Sequence, residues 1–182
     1  MKIHLILVTL LVALLFTSGC ITGDNQTESQ SSRVATNTYN DEYVSFDYPN
    51  SWVEASTTYS YVIAAFGDPS SLDANNKYQT VVIVQRMEAS GSSLKEIYDG
   101  VVESMKQQTD FEIISEKDRT IDGIDAKEIE FTFNDNGMNK HQRNVYFKNK
   151  GYVYAILCMA LEQDFNNENK NFDIIFNTFR VV

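Results

Sequence analysis

Gly151 to Leu161, GYVYAILCMAL, is the stretch whose reading decides the fold. Its two alternating sets, Tyr152/Tyr154/Ile156/Cys158/Ala160 and Val153/Ala155/Leu157/Met159/Leu161, are both almost wholly apolar. Successive side chains of a strand point to opposite faces, so a segment apolar in both sets is buried on both faces. Such a strand needs hydrogen-bonded neighbours on either side and a layer of structure above and below it. A layered domain with a central sheet follows.

Working outward, Phe111 to Ile121 and Ile124 to Phe133 flank Asp122-Gly123, a two-residue hairpin signal because both turn positions need positive φ. Ile129, Phe131 and Phe133 are expected inward there, with Glu128, Glu130 and Thr132 outward. Asn136-Gly137 turns the chain into a strand over Lys140 to Lys148, and Asn149-Lys150-Gly151 turns it into the central strand. Four consecutive strands form an antiparallel meander. Upstream, Tyr43 to Trp52 reads as a strand closed by Pro49, with Trp52 as a core anchor, and Tyr59 to Phe66 and Gln79 to Met87 read as two more strands. Ser92 to Thr109 is a helix: Leu94, Ile97, Tyr98, Val101, Val102 and Met105 repeat at helical spacing behind a Ser93/Glu96 capping box. Phe172, Ile175, Phe176 and Phe179 mark a second helical stripe, with Phe165 packing from its approach. One helix on each face would cover the sheet, which makes an α+β domain with a central, mainly antiparallel sheet between helices.

The N-terminus has a different character. The apolar run from Ile3 to Phe16 behind Lys2 is short for a bilayer span and fits a signal-peptide core. It ends at Thr17-Ser18-Gly19-Cys20, which resembles the lipobox of prokaryotic lipoproteins, where the cysteine thiol receives a lipid and becomes the mature N-terminus. An ordinary cleaved signal and an uncleaved anchor are the alternative readings. Ile21 to Asn40 is polar and without periodicity, and reads as a flexible tether that contributes nothing to stability. Asn25 stands in a glycosylation sequon. The expected organisation is signal peptide 1–19, lipidated Cys20 and tether 20–40, and one globular domain 41–182. A net charge of -10 argues against a nucleic-acid surface and against binding anionic lipid through charge alone. Membrane attachment would then rest on the lipid.

Phe46-x-Tyr48-Pro49-x-x-Trp52, the Asp122-Gly123 hairpin and Ile174-Ile175-Phe176-Asn177-Thr178-Phe179 together resemble the opening motif, hairpin glycine and closing helix of the PsbP family. That family is named for an extrinsic subunit of the photosynthetic oxygen-evolving complex. The resemblance spans about Tyr43 to Phe179 and implies an α/β/α sandwich. Members that dock on a photosystem are described as using basic surface residues. This acidic chain with a lipid-style leader is closer to a PsbP-related lipoprotein of a prokaryotic envelope.

No catalytic set assembles from the sequence. Beyond the leader the one histidine, His141, lies on a strand and is expected to be exposed. Cys158 sits in the apolar central strand, where a thiol is protonated and closed to solvent, so it is core. Asp122/Asp125 and Glu128/Glu130 read as solvated hairpin faces, and Asp68 and Asp73 as part of a solvated loop with the wrong spacing for a calcium site. Asp164-x-Asn166-x-Glu168 lacks the turn glycine and bidentate acid of an EF-hand. The expectation is a non-enzymatic, membrane-anchored extracytoplasmic domain, without catalytic residues, metal or cofactor, that binds or helps assemble an envelope component. The alternative is a hydrolase or metal-dependent enzyme using surface carboxylates.

Overall fold

The computed structural model describes residues 34–182. Cys20, Asn25 and the leader lie outside the described residues. In chain order the elements are β1 (Thr36–Asn40), β2 (Val44–Pro49), β3 (Val53–Glu54), β4 (Val62–Gly67), β5 (Val81–Glu88) and α1 (Leu94–Met105). Then come β6 (Glu112–Ile121), β7 (Ile124–Asp135), β8 (Met138–Asn149), β9 (Tyr152–Leu161), α2 (Glu162–Thr178) and β10 (Arg180–Val181). Seven strands form an antiparallel sheet in the order β3-β4-β5-β9-β8-β7-β6, which puts β9, the GYVYAILCMAL strand, at its centre.

The meander is built on its turns. Asp122 and Gly123 have φ of 52° and 74°, and Asn136 and Gly137 have 53° and 86°, the left-handed geometry that two-residue hairpins require. The third turn is shorter than expected, because Asn149 pairs with Tyr152 and leaves only Lys150 and Gly151 at its tip. At the start of α1 the capping box is closed from both ends: the Ser93 hydroxyl accepts the Glu96 N–H while the Glu96 carboxylate accepts the Ser93 N–H.

On one face Tyr154, Ile156, Cys158 and Ala160 of β9 meet Phe165, Phe172, Ile175 and Phe176 of α2 in a fully buried cluster. Trp52 closes that layer, its ring edge-on to Phe172 at 6.0 Å, as a core anchor should be. Each such side chain removed from water contributes about 1.5–3 kcal/mol. A second sheet, β1-β2-β10, completes the layer and brings Phe46 into a stacked contact with Phe179 at 5.6 Å. On the opposite face α1 packs Val101 and Met105 over Ile129, Phe131, Val153 and Ala155.

Several expectations are corrected. Residues 36–40 are not tether: they pair with β2 in register from Thr36↔Pro49 to Asn40↔Ser45, and the Tyr39 hydroxyl donates to the Ile63 carbonyl at 2.9 Å. The domain therefore begins before residue 41. The closing helix starts at Glu162 and absorbs Phe165 as well as the Asp164-x-Asn166-x-Glu168 segment. Glu128 does not face solvent, because the β7 face that carries it lies under α2 rather than in water. No helix among the described residues is long and apolar enough to cross a membrane.

Candidate ligand-binding groove

The two faces of the sheet are covered unequally. At about 1.5 Å per residue the 12-residue α1 is ~18 Å long, whereas at about 3.3 Å per residue the 10-residue β9 is ~33 Å long. A helix of that length leaves part of the face open. Leu157 and Met159 lie in the uncovered part and are only half-buried, while Val153 and Ala155 under α1 are closed. The result is a groove of about 820 Å³ between α1, the segment 73–79 and a floor formed by β5, β9 and β8. That volume suits a drug-sized ligand.

Register arranges the floor. Val81, Met159 and Gln142 stand opposite one another across β5, β9 and β8, and the next row on the same face is Ile83, Leu157 and Asn144. The β5 and β9 positions make an apolar stripe. Lys140, Gln142, Asn144 and Tyr146, every second residue of β8, make a polar stripe beside it. All four methionines among the described residues, Met87, Met105, Met138 and Met159, line the groove.

The polar stripe is buried and incompletely paired. Asn144 is 1% exposed; its Nδ2 donates to Gln142 Oε1 and to the Tyr146 hydroxyl, each at 3.2 Å. Its Oδ1 has no hydrogen-bond partner among the described residues, and the same holds for Gln108 Oε1 and the Tyr61 hydroxyl, which also line the groove. An unpaired buried acceptor costs about 1–3 kcal/mol. Lys140, 2% exposed, donates to Gln79 Oε1, and burial holds its ammonium below the usual lysine range against the pull of Asp135 and Asp73. Gln79 is held in turn by a braced loop, in which the Ser71 hydroxyl accepts the N–H groups of Gln79 and Thr80.

The acids of that loop are occupied. Asp68 accepts the Ser70 N–H as cap of a short helical turn, and Asp73 accepts the N–H groups of Asn75 and Lys77. The backbone N–H of Lys77 and then that of Asn75 hold the Asp73 carboxyl below the usual range. Among the described residues no group of three or more His, Cys, Asp or Glu side chains is placed to hold a metal ion.

Apart from Asp73, which lines the groove, the candidate site residues singled out from the sequence lie elsewhere. Cys158 is fully buried on the α2 face, and burial pushes its thiol well up. His141 is not the exposed strand histidine expected: its ring stacks on Phe165 at 3.5 Å and its Nε2 lies 2.9 Å from Glu130 Oε1. Burial, opposed by Glu130, lowers its pKa. Glu128 is bound by Arg143 and Arg119 at 2.6 Å each and by Lys117 at 3.0 Å. Asp122 accepts the Val181 N–H. None of these carboxylates lines the groove. The polar floor residues Lys140, Gln142 and Asn144 were missed because they are uncharged amides and a single lysine. Their one signal was the unbroken polar alternation of Lys140, Gln142, Asn144 and Tyr146 in a strand next to the most apolar strand of the chain.

The model of a family described as PsbP-like protein matches residues 5–181. The solution structure of cyanobacterial PsbP (CyanoP) from Synechocystis sp. PCC 6803 is 17% identical, with a TM-score of 0.59 over 86% of this chain and 98% of that one. LpqN of Mycobacterium tuberculosis, described as involved in cell envelope biogenesis, is 12% identical, with a TM-score of 0.63 over 81% of this chain and 91% of that one. At such identities these likenesses speak for the fold. No curated protein matches the chain.

Proposed function

The chain belongs to the PsbP-like protein family, and from that premise we propose that it is a non-enzymatic envelope lipoprotein, anchored through lipid on Cys20 and facing the extracytoplasmic side. Its α1-side groove binds an envelope component. The observation that carries this reading is a polar stripe in which the buried Asn144 Oδ1 lacks a partner among the described residues, set beside an apolar stripe in one groove, the ordinary make-up of a binding site. Glu128 is engaged with Arg119 and Arg143, and Asp73 with the backbone N–H groups of Asn75 and Lys77. The involvement of LpqN in cell envelope biogenesis supports the same setting.

One experiment tests both halves. Wild type, Cys20→Ser and Leu157→Trp are expressed in the native envelope, labelled with an alkynyl lipid precursor and used for capture after mild cross-linking. Cys20→Ser is expected to lose the label. Leu157→Trp, which fills the groove, is expected to keep the label and lose the partner band. Equal labelling of Cys20→Ser would overturn the anchor, and an unchanged partner band with Leu157→Trp would overturn the groove.

A further inference from the structure

We infer that the occupant of the groove is an uncharged, extended peptide segment with apolar residues at alternate positions, laid along β8 and β9. This deepens the groove-binding reading above and rests on it.

The first argument is the spacing of the polar stripe. Gln142 and Asn144 are successive same-face residues of β8, so their Cα atoms recur at about 6.6 Å along the strand, and their carboxamides are joined by the Asn144 Nδ2 to Gln142 Oε1 hydrogen bond. An extended peptide above them repeats its backbone N–H and C=O groups at the same interval. Asn144 Nδ2 is committed to Gln142 Oε1 and the Tyr146 hydroxyl, so its free Oδ1 can accept a peptide N–H, and Gln142 Nε2, which donates one hydrogen to Met159 Sδ at 3.2 Å, has a second for a peptide carbonyl. Asn144 Oδ1 and Gln108 Oε1, on floor and wall, are acceptors without partners among the described residues, and they require N–H or O–H donors.

Charge is the second argument. The charged residues lining the groove are Asp73, Lys77, Asp135 and Lys140, two of each sign, so the site offers a ligand no net charge to neutralise. The third is the apolar stripe. Val81, Ile83, Leu157 and Met159 form an aliphatic and thioether floor, and the four methionines suit side chains of varied shape because thioethers repack at little cost. A simple alkyl chain fits worse, since it would leave Asn144 Oδ1 unpaired in an even drier site. An oligosaccharide fits worse because the floor is branched and aliphatic rather than a flat aromatic plane.

The test uses the full-length protein in phosphatidylcholine nanodiscs and a fluorescent heptapeptide, blocked at both ends, that alternates Leu, Val or Met with Ser or Gln. The comparison probes are the same peptide N-methylated at alternate backbone nitrogens, a version with Asp and Lys at the polar positions, dodecanoate and maltoheptaose. The unmodified peptide is expected to bind saturably. N-methylation, charge insertion, Asn144→Ala and Gln108→Leu are each expected to weaken binding tenfold or more, and Gln108→Leu covers the case in which Asn144→Ala unfolds the chain. Absence of saturable binding, or binding indifferent to N-methylation, would overturn the proposal. Dodecanoate or maltoheptaose binding that Leu157→Trp abolishes would overturn the peptide class and leave the groove standing. If no probe binds and Leu157→Trp leaves envelope capture intact, the groove reading falls as well.

Discussion

Glu128 shows how much one side chain can hold at this sheet. It is 1% exposed, and its two oxygens accept from Arg143 and Arg119 at 2.6 Å each. Arg143 in turn donates to Asn169 and Asp173 of α2, at 2.8 and 2.7 Å, so the network ties β6, β7 and β8 to the helix above them. Burial pushes the Glu128 carboxyl up, but the hydrogen bonds from Arg143 and Arg119 outweigh it and hold it below the usual range. Glu128→Gln would leave buried guanidiniums without their counter-charge and should cost about 3–5 kcal/mol in chemical denaturation. Because the folded carboxyl titrates lower than the unfolded one, its contribution is complete above about pH 5 and is lost as pH falls through the depressed value. The difference in melting temperature between wild type and Glu128→Gln should therefore narrow in acid. A difference independent of pH would show that the ion pairs do not contribute.

At the scale of elements, β1 is the informative case. TNTYN has one large apolar residue, and four of its five residues are exposed, so neither periodicity nor composition marks it as a strand. It forms because β2, with Phe46 buried beneath it, has two edges to satisfy: β1 takes one and Arg180–Val181 the other. Tyr39 supplies the packing, with ring contacts to Phe46 at 5.2 Å and Phe66 at 5.6 Å. Deleting residues 34–42 should cost about 2 kcal/mol from the half-buried Tyr39 ring alone, which lowers the melting temperature by roughly 4–8 °C in a domain of this size. A melting curve that overlays the wild type would return residues 36–40 to the tether.

For the whole molecule, the decisive feature is the asymmetry between faces. The α2 face is a dry core, and Phe172→Ala there should cost about 3–5 kcal/mol, since Phe172 is fully buried against Trp52 and Phe165. On the other face Leu157→Trp extends into open volume, and it should leave the urea midpoint close to wild type. Equal losses would mean that the groove is packing space. Local pattern was sufficient for much of this architecture: two apolar sets made β9 central, Asp122-Gly123 and Asn136-Gly137 placed the hairpins, and Ser93 with Glu96 started α1, because turns, caps and alternation act between residues close in sequence. Alternation also shows only that a face is covered, not by what. Glu128, His141 and β1 were misread for that reason, since arginines from two strands, a phenylalanine from α2 and the edge of β2 reach them from distant parts of the chain. The groove belongs to the same class: it exists because α1 is shorter than the strands it covers and because register sets Gln142 and Asn144 beside Met159 and Leu157, relations that only the assembled sheet creates.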